Sequence, residues 1–235
     1  MLKDNYLFGG DRMDNISKID SILEELKQKV SAIELPELVE ADFSAEQIAL
    51  KALLENRRIR YLIHFTDAKN IPSIRANGIL SVEQLEKRRI IYKQNDEYRK
   101  DNEPDYISLS VSGINQYVYR TFRYSNQSIE HGVAVVINAE ILYKEFNTRR
   151  IYCNTNAATF DANKGAAIED FEAMFSDIVE YTILSSGERK IDRFKEKRNS
   201  YETTDIQAEI LWSKRVPPEY IMFYWDLEED FFYGD

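Results

Sequence analysis

A glutamate at the head of a run that has to be buried places the tightest constraint on this chain. Residues 202–211 read Glu-Thr-Thr-Asp-Ile-Gln-Ala-Glu-Ile-Leu, and Trp212 follows. Taken as a strand, the alternation sends Ala208, Ile210 and Trp212 to one face and Gln207 and Glu209 to the other. The apolar face fits a core, whereas a carboxylate beside a core needs either water or a use. Two arrangements meet that need. An edge strand can turn its polar face to solvent, or the amide and carboxylate can line a cleft.

Other stretches read as partners for such a strand. Residues 61–66, Tyr-Leu-Ile-His-Phe-Thr, alternate so that His64 and Thr66 point the same way. Behind them, Asp67 or Asn70 can cap a short helix burying Ile71 and Ile74, and Asn77-Gly78 supplies its stop. In residues 106–111, Ile107, Leu109 and Val111 face one way, and Ser108 and Ser110 the other, where they can line a cleft. Residues 132–138 are apolar on both faces and predict a central strand. An aromatic-rich strand is expected within 220–227.

Helices are expected in front of this body. Ser44-Ala45-Glu46-Gln47 has the form of a capping box, and its helix should run to about Asn56 with Ile48, Ala52 and Leu53 buried. Earlier, Ile16, Ile19, Leu23, Leu26, Val30 and Ile33 mark an amphipathic helix, packed on its own protein or docking a partner. The expected division is an N-terminal helical segment, 1–57, and a main domain, 58–235.

Charge and composition exclude several classes. The net charge of −10 argues against non-specific coating of nucleic acid. It leaves room for a local basic patch. Residues 187–200 hold six basic side chains, including Lys195, Lys197 and Arg198, against three acidic ones. That run is either an approach for a phosphodiester backbone or a solvated surface. Tyr117, Tyr119 and Phe122 interleave with Arg120 and Arg123, a pattern that suits base stacking or a half-buried helix. The charged residues 83–100 read as a solvated face or as a lid over phosphates. One cysteine and two histidines leave little for a metal site. No apolar run is long enough to span a membrane and the first residues do not form a signal peptide, so a cytoplasmic protein is expected. No GxGxxG or Walker loop is present.

Four blocks in order resemble one family. They are His64-x-Thr66 with Asn70, a short helix and Gly78; residues 106–111 followed by Asn115; Asn154-Thr155-Asn156-Ala157-Ala158; and residues 204–211 followed by 216–221. Together, over residues 60–226, they resemble the DarT family of nucleic-acid ADP-ribosyltransferase toxins. The resemblance implies an α+β fold with a split β-sheet core, surrounding helices and the N-terminal helical segment in front. It implies transfer of ADP-ribose from NAD, without a metal, to a nucleobase. Single-stranded DNA is the first choice of target, with RNA or a catalytically inactive binding module as alternatives. It also implies a cognate antitoxin as partner.

By the same resemblance Glu209 is the catalytic carboxylate and Gln207 orients the acceptor. His64, Phe65, Thr66, Asn70 and Gly78 belong to the NAD pocket. The acceptor side would take Arg120, Arg123, Lys195, Lys197, Arg198 and Asn115, the last standing where the best-known branch has an arginine.

Overall fold

The computed structural model describes residues 43–93, 103–113, 129–184 and 186–227. The expected helix at 16–33, the aromatic-basic stretch with Asn115, Arg120 and Arg123, most of the charged segment after Lys93 and the acidic tail lie outside them. The chain divides into Met1–Phe43 and Ser44–Asp235, which places the first described helix with the main body rather than with the N-terminal segment.

That helix, α1 (Ala45–Arg57), starts with the expected capping box. The Gln47 N–H donates to Ser44 Oγ at 3.2 Å, and the Ser44 N–H donates to Gln47 Oε1 at 3.0 Å. Its buried stripe differs from the expected one. Leu50 and Leu54 are buried, whereas Ile48 is 52% exposed. The face toward the body runs Gln47, Leu50, Leu54, Arg57, and its two ends are polar. Gln47 Nε2 donates to the Tyr143 carbonyl at 2.8 Å, and the Arg57 guanidinium lies 4.3 Å from the Phe175 ring centre. Hydrophobic periodicity cannot find a stripe whose ends are an amide and a cation.

The core is an antiparallel seven-stranded sheet. Its strands are β1 (Tyr61–Asp67), β3 (Tyr106–Val111), β4 (Gly132–Asn138), β5 (Arg150–Cys153), β6 (Lys164–Gly165), β9 (Glu209–Ser213) and β11 (Ile221–Asp226), in the order β11-β4-β1-β3-β9-β5-β6. Two two-stranded ribbons accompany it: β2 (Ile79–Leu80) with β10 (Arg215–Val216), and β7 (Ile178–Ile183) with β8 (Gly187–Asp192). Short helices α2 (Ile71–Asn77), α3 (Val82–Lys87), α4 (Ile141–Lys144) and α5 (Ile168–Ala173) surround it. The fold is α+β. No helix among the described residues is long and apolar enough to cross a membrane.

The sheet is split. β1 pairs with β4 along its whole length, from Tyr61↔Asn138 to Asp67↔Gly132. On its other side it meets β3 only at Leu62↔Val111 and Ile63↔Ser110. The strands part after Ile63, so His64, Phe65 and Thr66 border the opening. As expected, β4 is buried on both faces from Val133 to Ile137. β9 lies between β3 and β5, so the edge-strand arrangement is excluded.

Beneath β5, Tyr152 packs on Phe171 of α5 with ring centres 5.0 Å apart. Its hydroxyl is buried with no hydrogen-bond partner. Burial pushes that phenol up to about 12, with the Arg150 cation pulling the other way. A raised folded-state value leaves stability untouched below pH 10. Above it, the unfolded chain ionises while the folded one holds its proton, so stability falls by up to roughly 2–3 kcal/mol toward pH 12. Tyr152→Phe should therefore be neutral or stabilising at pH 8, with a gain over wild type that grows between pH 10 and 12. Urea titrations at the three pH values test this, and a gain independent of pH would contradict it.

Candidate active site

β9 begins only at Glu209, because the residues before it are locked in a turn. Asp205 is fully buried. Its Oδ2 accepts from Thr155 Oγ1 at 2.6 Å and its Oδ1 from the Gln207 N–H at 2.9 Å. Its carbonyl accepts from Thr203 Oγ1 at 2.6 Å and from the Ala208 N–H at 3.1 Å. A side chain that takes a backbone N–H two residues on competes with a strand ladder. Gln207 thus sits on a turn and Glu209 at the start of a strand, which corrects the expectation of one extended face for both. Thr203, Thr204 and Asp205, all turn-formers, are the sequence signal for it. Burial raises the pKa of Tyr181, and the Asp205 charge adds to that shift.

Both oxygens of Glu209 are held from outside this turn. The Ala157 N–H donates to Oε1 at 2.6 Å, and Ser108 Oγ donates to Oε2. Ser110 of β3 and Cys153 of β5 are its register partners. Lys164 Nζ in turn donates to the Ala157 carbonyl. Ser108 also reaches across the split: His64 Nδ1 lies 3.1 Å from its carbonyl. A carbonyl only accepts, so the proton of the neutral imidazole sits on Nδ1 and Nε2 becomes an acceptor. One residue therefore fixes the carboxylate with its side chain and the imidazole with its main chain. His64, Phe65, Ser108, Gln207 and Glu209 are all half-buried.

The other expected pocket residues act as supports. Thr66 is buried, and its Oγ1 accepts from Asn70 Nδ2 at 2.9 Å. The same amide brackets Lys93, giving to its carbonyl at 2.8 Å and accepting from its N–H at 2.7 Å. Asn70 thereby ties the segment after α3 to the end of β1. It makes no capping bond; Asp67 caps the 3-10 turn (Ala68–Asn70) that precedes α2. Gly78 has φ +76° and is packed against the Val216 carbonyl, so the need for glycine there comes from a backbone crossing.

Lys195 and Lys197 lie exposed in the turn after β8, Lys195 with Asp192 at 3.8 Å. The Arg198 side chain is only 10% exposed and leans toward Glu196 at 3.5 Å. Among the described residues, no group of three or more His, Cys, Asp or Glu can hold a metal ion. Ser108 as holder of the acid, the Ala157 N–H and Asp205 went unassigned in the sequence. A main-chain donor has no residue type to read.

A family model described as ssDNA thymidine ADP-ribosyltransferase, DarT, matches residues 63–223. The chain belongs to the DarT family. The match takes in His64, Ser108, the turn at Ala157 and Glu209, which is the whole of the geometry above. No curated protein matches this DarT-family chain. Among solved structures, DarTG of Thermosipho africanus in complex with ADP-ribose is 17% identical with a TM-score of 0.44, over 69% of this chain and 42% of that one. This chain thus corresponds to less than half of that protein's length. DarT of Thermus sp. 2.9 in complex with NAD+ is 14% identical with a TM-score of 0.42, over 69% and 79%. The same protein in complex with ADP-ribosylated ssDNA is 16% identical with a TM-score of 0.40, over 70% and 79%.

Proposed function

We propose that this DarT-family protein transfers ADP-ribose from NAD to a nucleobase, with single-stranded DNA as the target and a cognate antitoxin restraining it. The observation that carries the reading is Glu209, linked through the hydroxyl and carbonyl of Ser108 to His64 at the mouth of a split sheet. NAD suits that mouth. Phe65 offers an apolar wall, His64 Nε2 an acceptor for a ribose hydroxyl, and Glu209 a negative charge. Bound NAD supplies a ribose carbon that gains positive charge as neutral nicotinamide leaves.

The protein's own contribution is positional and electrostatic. Glu209, fixed at both oxygens, faces that charge without reorganising, as carboxylates do in glycoside cleavage. It can also take the proton that the base loses on bond formation. Gln207, held by its backbone on the Asp205 turn, leaves its side-chain amide to orient the acceptor.

Intact-mass analysis of short single-stranded DNA and RNA oligonucleotides after incubation with NAD tests this directly. The expected result is an ADP-ribose adduct on DNA. An adduct on RNA alone would replace the target, and NAD unchanged with both polymers would overturn the reading.

Of the three cations expected on the acceptor side in this turn, Lys195 and Lys197 are exposed and can meet phosphates, whereas the Arg198 side chain is too enclosed for it. Reversing both lysines to glutamate should weaken transfer and flatten the log–log salt slope by about 1.4, at roughly 0.7 per phosphate on a single strand. An unchanged slope would return the turn to ordinary solvated surface.

A further inference from the structure

Arg193 is a buried cation that the chemistry above does not use. It is 8% exposed, and its guanidinium gathers one loop. Nη1 donates to the Glu202 carbonyl at 2.7 Å and reaches Thr204 Oγ1 at 3.4 Å, while Nη2 donates to the Asn199 carbonyl. Its own N–H donates to the Asp177 carbonyl at 2.8 Å, tying the end of β8 to the start of β7. The loop is tied again at Thr204, whose N–H donates to the Met174 carbonyl at 2.9 Å and whose Oγ1 donates to the Ser176 carbonyl at 2.5 Å. One residue later Asp205 takes over and holds Gln207. Burying a guanidinium is costly, and a loop needing only closure does not require one. The five donors of arginine sit in a rigid fork that here reaches the Glu202 and Asn199 carbonyls and the Thr204 hydroxyl together.

The two halves of the site are held by different donors and meet at Asp205, whose Oδ2 accepts from Thr155 Oγ1 two residues before Ala157. Glu209 is held by Ser108 on β3 and by Ala157 after β5, neither of which belongs to this loop. Gln207 is held by Asp205, which lies at the end of it. We propose that Arg193 is a positioning residue for the acceptor: it sets the loop that presents Gln207, while Glu209 keeps its own donors, Ser108 on β3 and the Ala157 N–H after β5. The inference rests on the transferase reading for its chemical consequence, though not for its structural one. In both outcomes of that chemistry the bond between nicotinamide and ribose C1′ breaks and its electron pair leaves with nicotinamide. A nucleobase atom then bonds C1′ and gives up its proton, or water does so and yields free ADP-ribose. A displaced Gln207 handicaps the first route and not the second.

The test uses the full chain with Arg193→Gln, Arg193→Lys and Thr204→Val, the last sparing the Arg193 contacts to the Asn199 and Glu202 carbonyls while removing the Thr204 hydroxyl from Arg193 and from the Ser176 carbonyl. Backbone hydrogen exchange and the split of NAD between oligonucleotide adduct and free ADP-ribose are read on each. Arg193→Gln should speed exchange across 202–208 and leave 210–213 protected. Its adduct formation should fall by about 10²-fold, the cost of a misplaced reacting group, while free ADP-ribose stays near the wild-type rate. Arg193→Lys should restore part of the adduct, and Thr204→Val should shift the split the same way by less. Equal loss of adduct and ADP-ribose in a folded variant would overturn the proposal, as would unchanged exchange across 202–208. If wild type makes neither product, the transferase reading falls, and the exchange pattern alone then decides whether Arg193 holds this loop.

Discussion

Glu209→Gln should lower transfer by about 10³-fold while the melting temperature stays within a degree or two of wild type, since a general base and a fixed charge are lost together. Glutamine is the informative replacement. Its Oε1 can still accept from the Ala157 N–H, and Ser108 Oγ can rotate to accept from the new amide. Alanine would leave both donors without an acceptor in a half-buried place, at about 1–3 kcal/mol, and lost activity would then be confounded with lost structure. The paired measurement is single-turnover adduct formation with a thermal melt on the same preparation. Near-normal transfer by a folded Glu209→Gln protein would remove Glu209 from the chemistry and return His64 and Ser108 to a structural role.

Gly78→Ala should cost stability on a comparable scale for a single residue, about 3–5 kcal/mol, combining a backbone region nearly closed to other residues with a steric overlap. Gly78 has φ +76° and ψ −176°. A methyl group there would lie 2.2 Å from the Val216 carbonyl oxygen and 3.1 Å from Pro218 Cδ. Neither neighbour is a flexible side chain that can move away. Relief means separating β2 from β10, whose pairing joins Ile79 to Val216 and Leu80 to Arg215. The melting temperature should drop by roughly 10 °C, at 2–4 °C per kcal/mol for a domain of this size. A drop of less than 2 °C would mean the crossing is looser than described. The outcome also separates two meanings of this glycine. A residue required only for NAD would lose affinity and keep its melting temperature.

Strands β1, β3, β4 and β11 and the cap of α1 were legible because each carries a local signal: alternation, an unbroken apolar run, or a side chain answering its own backbone. β5 gives little signal because it has only four residues, and β7 because only Val179 and Tyr181 of its six residues are buried. β8, Gly-Glu-Arg-Lys-Ile-Asp, read as surface charge because one partner strand is all it pairs with and most of it stays in solvent. Arg193 read as one more cation of a basic run. Its burial follows from the carbonyls of Asn199 and Glu202 folding back on it, which charge counting does not register.

From the sequence alone came His64 and Glu209 as candidate groups, each on a largely apolar strand, and the family resemblance around them. Tertiary structure decided how they are held. The donors to Glu209 come from residues 101 and 52 positions away, one of them a main-chain N–H that any residue could supply. The split exists because β1 and β3 keep only two residues of register before they part. Periodicity describes what one segment buries; it holds no information on which distant backbone group will meet a side chain once the sheet is assembled.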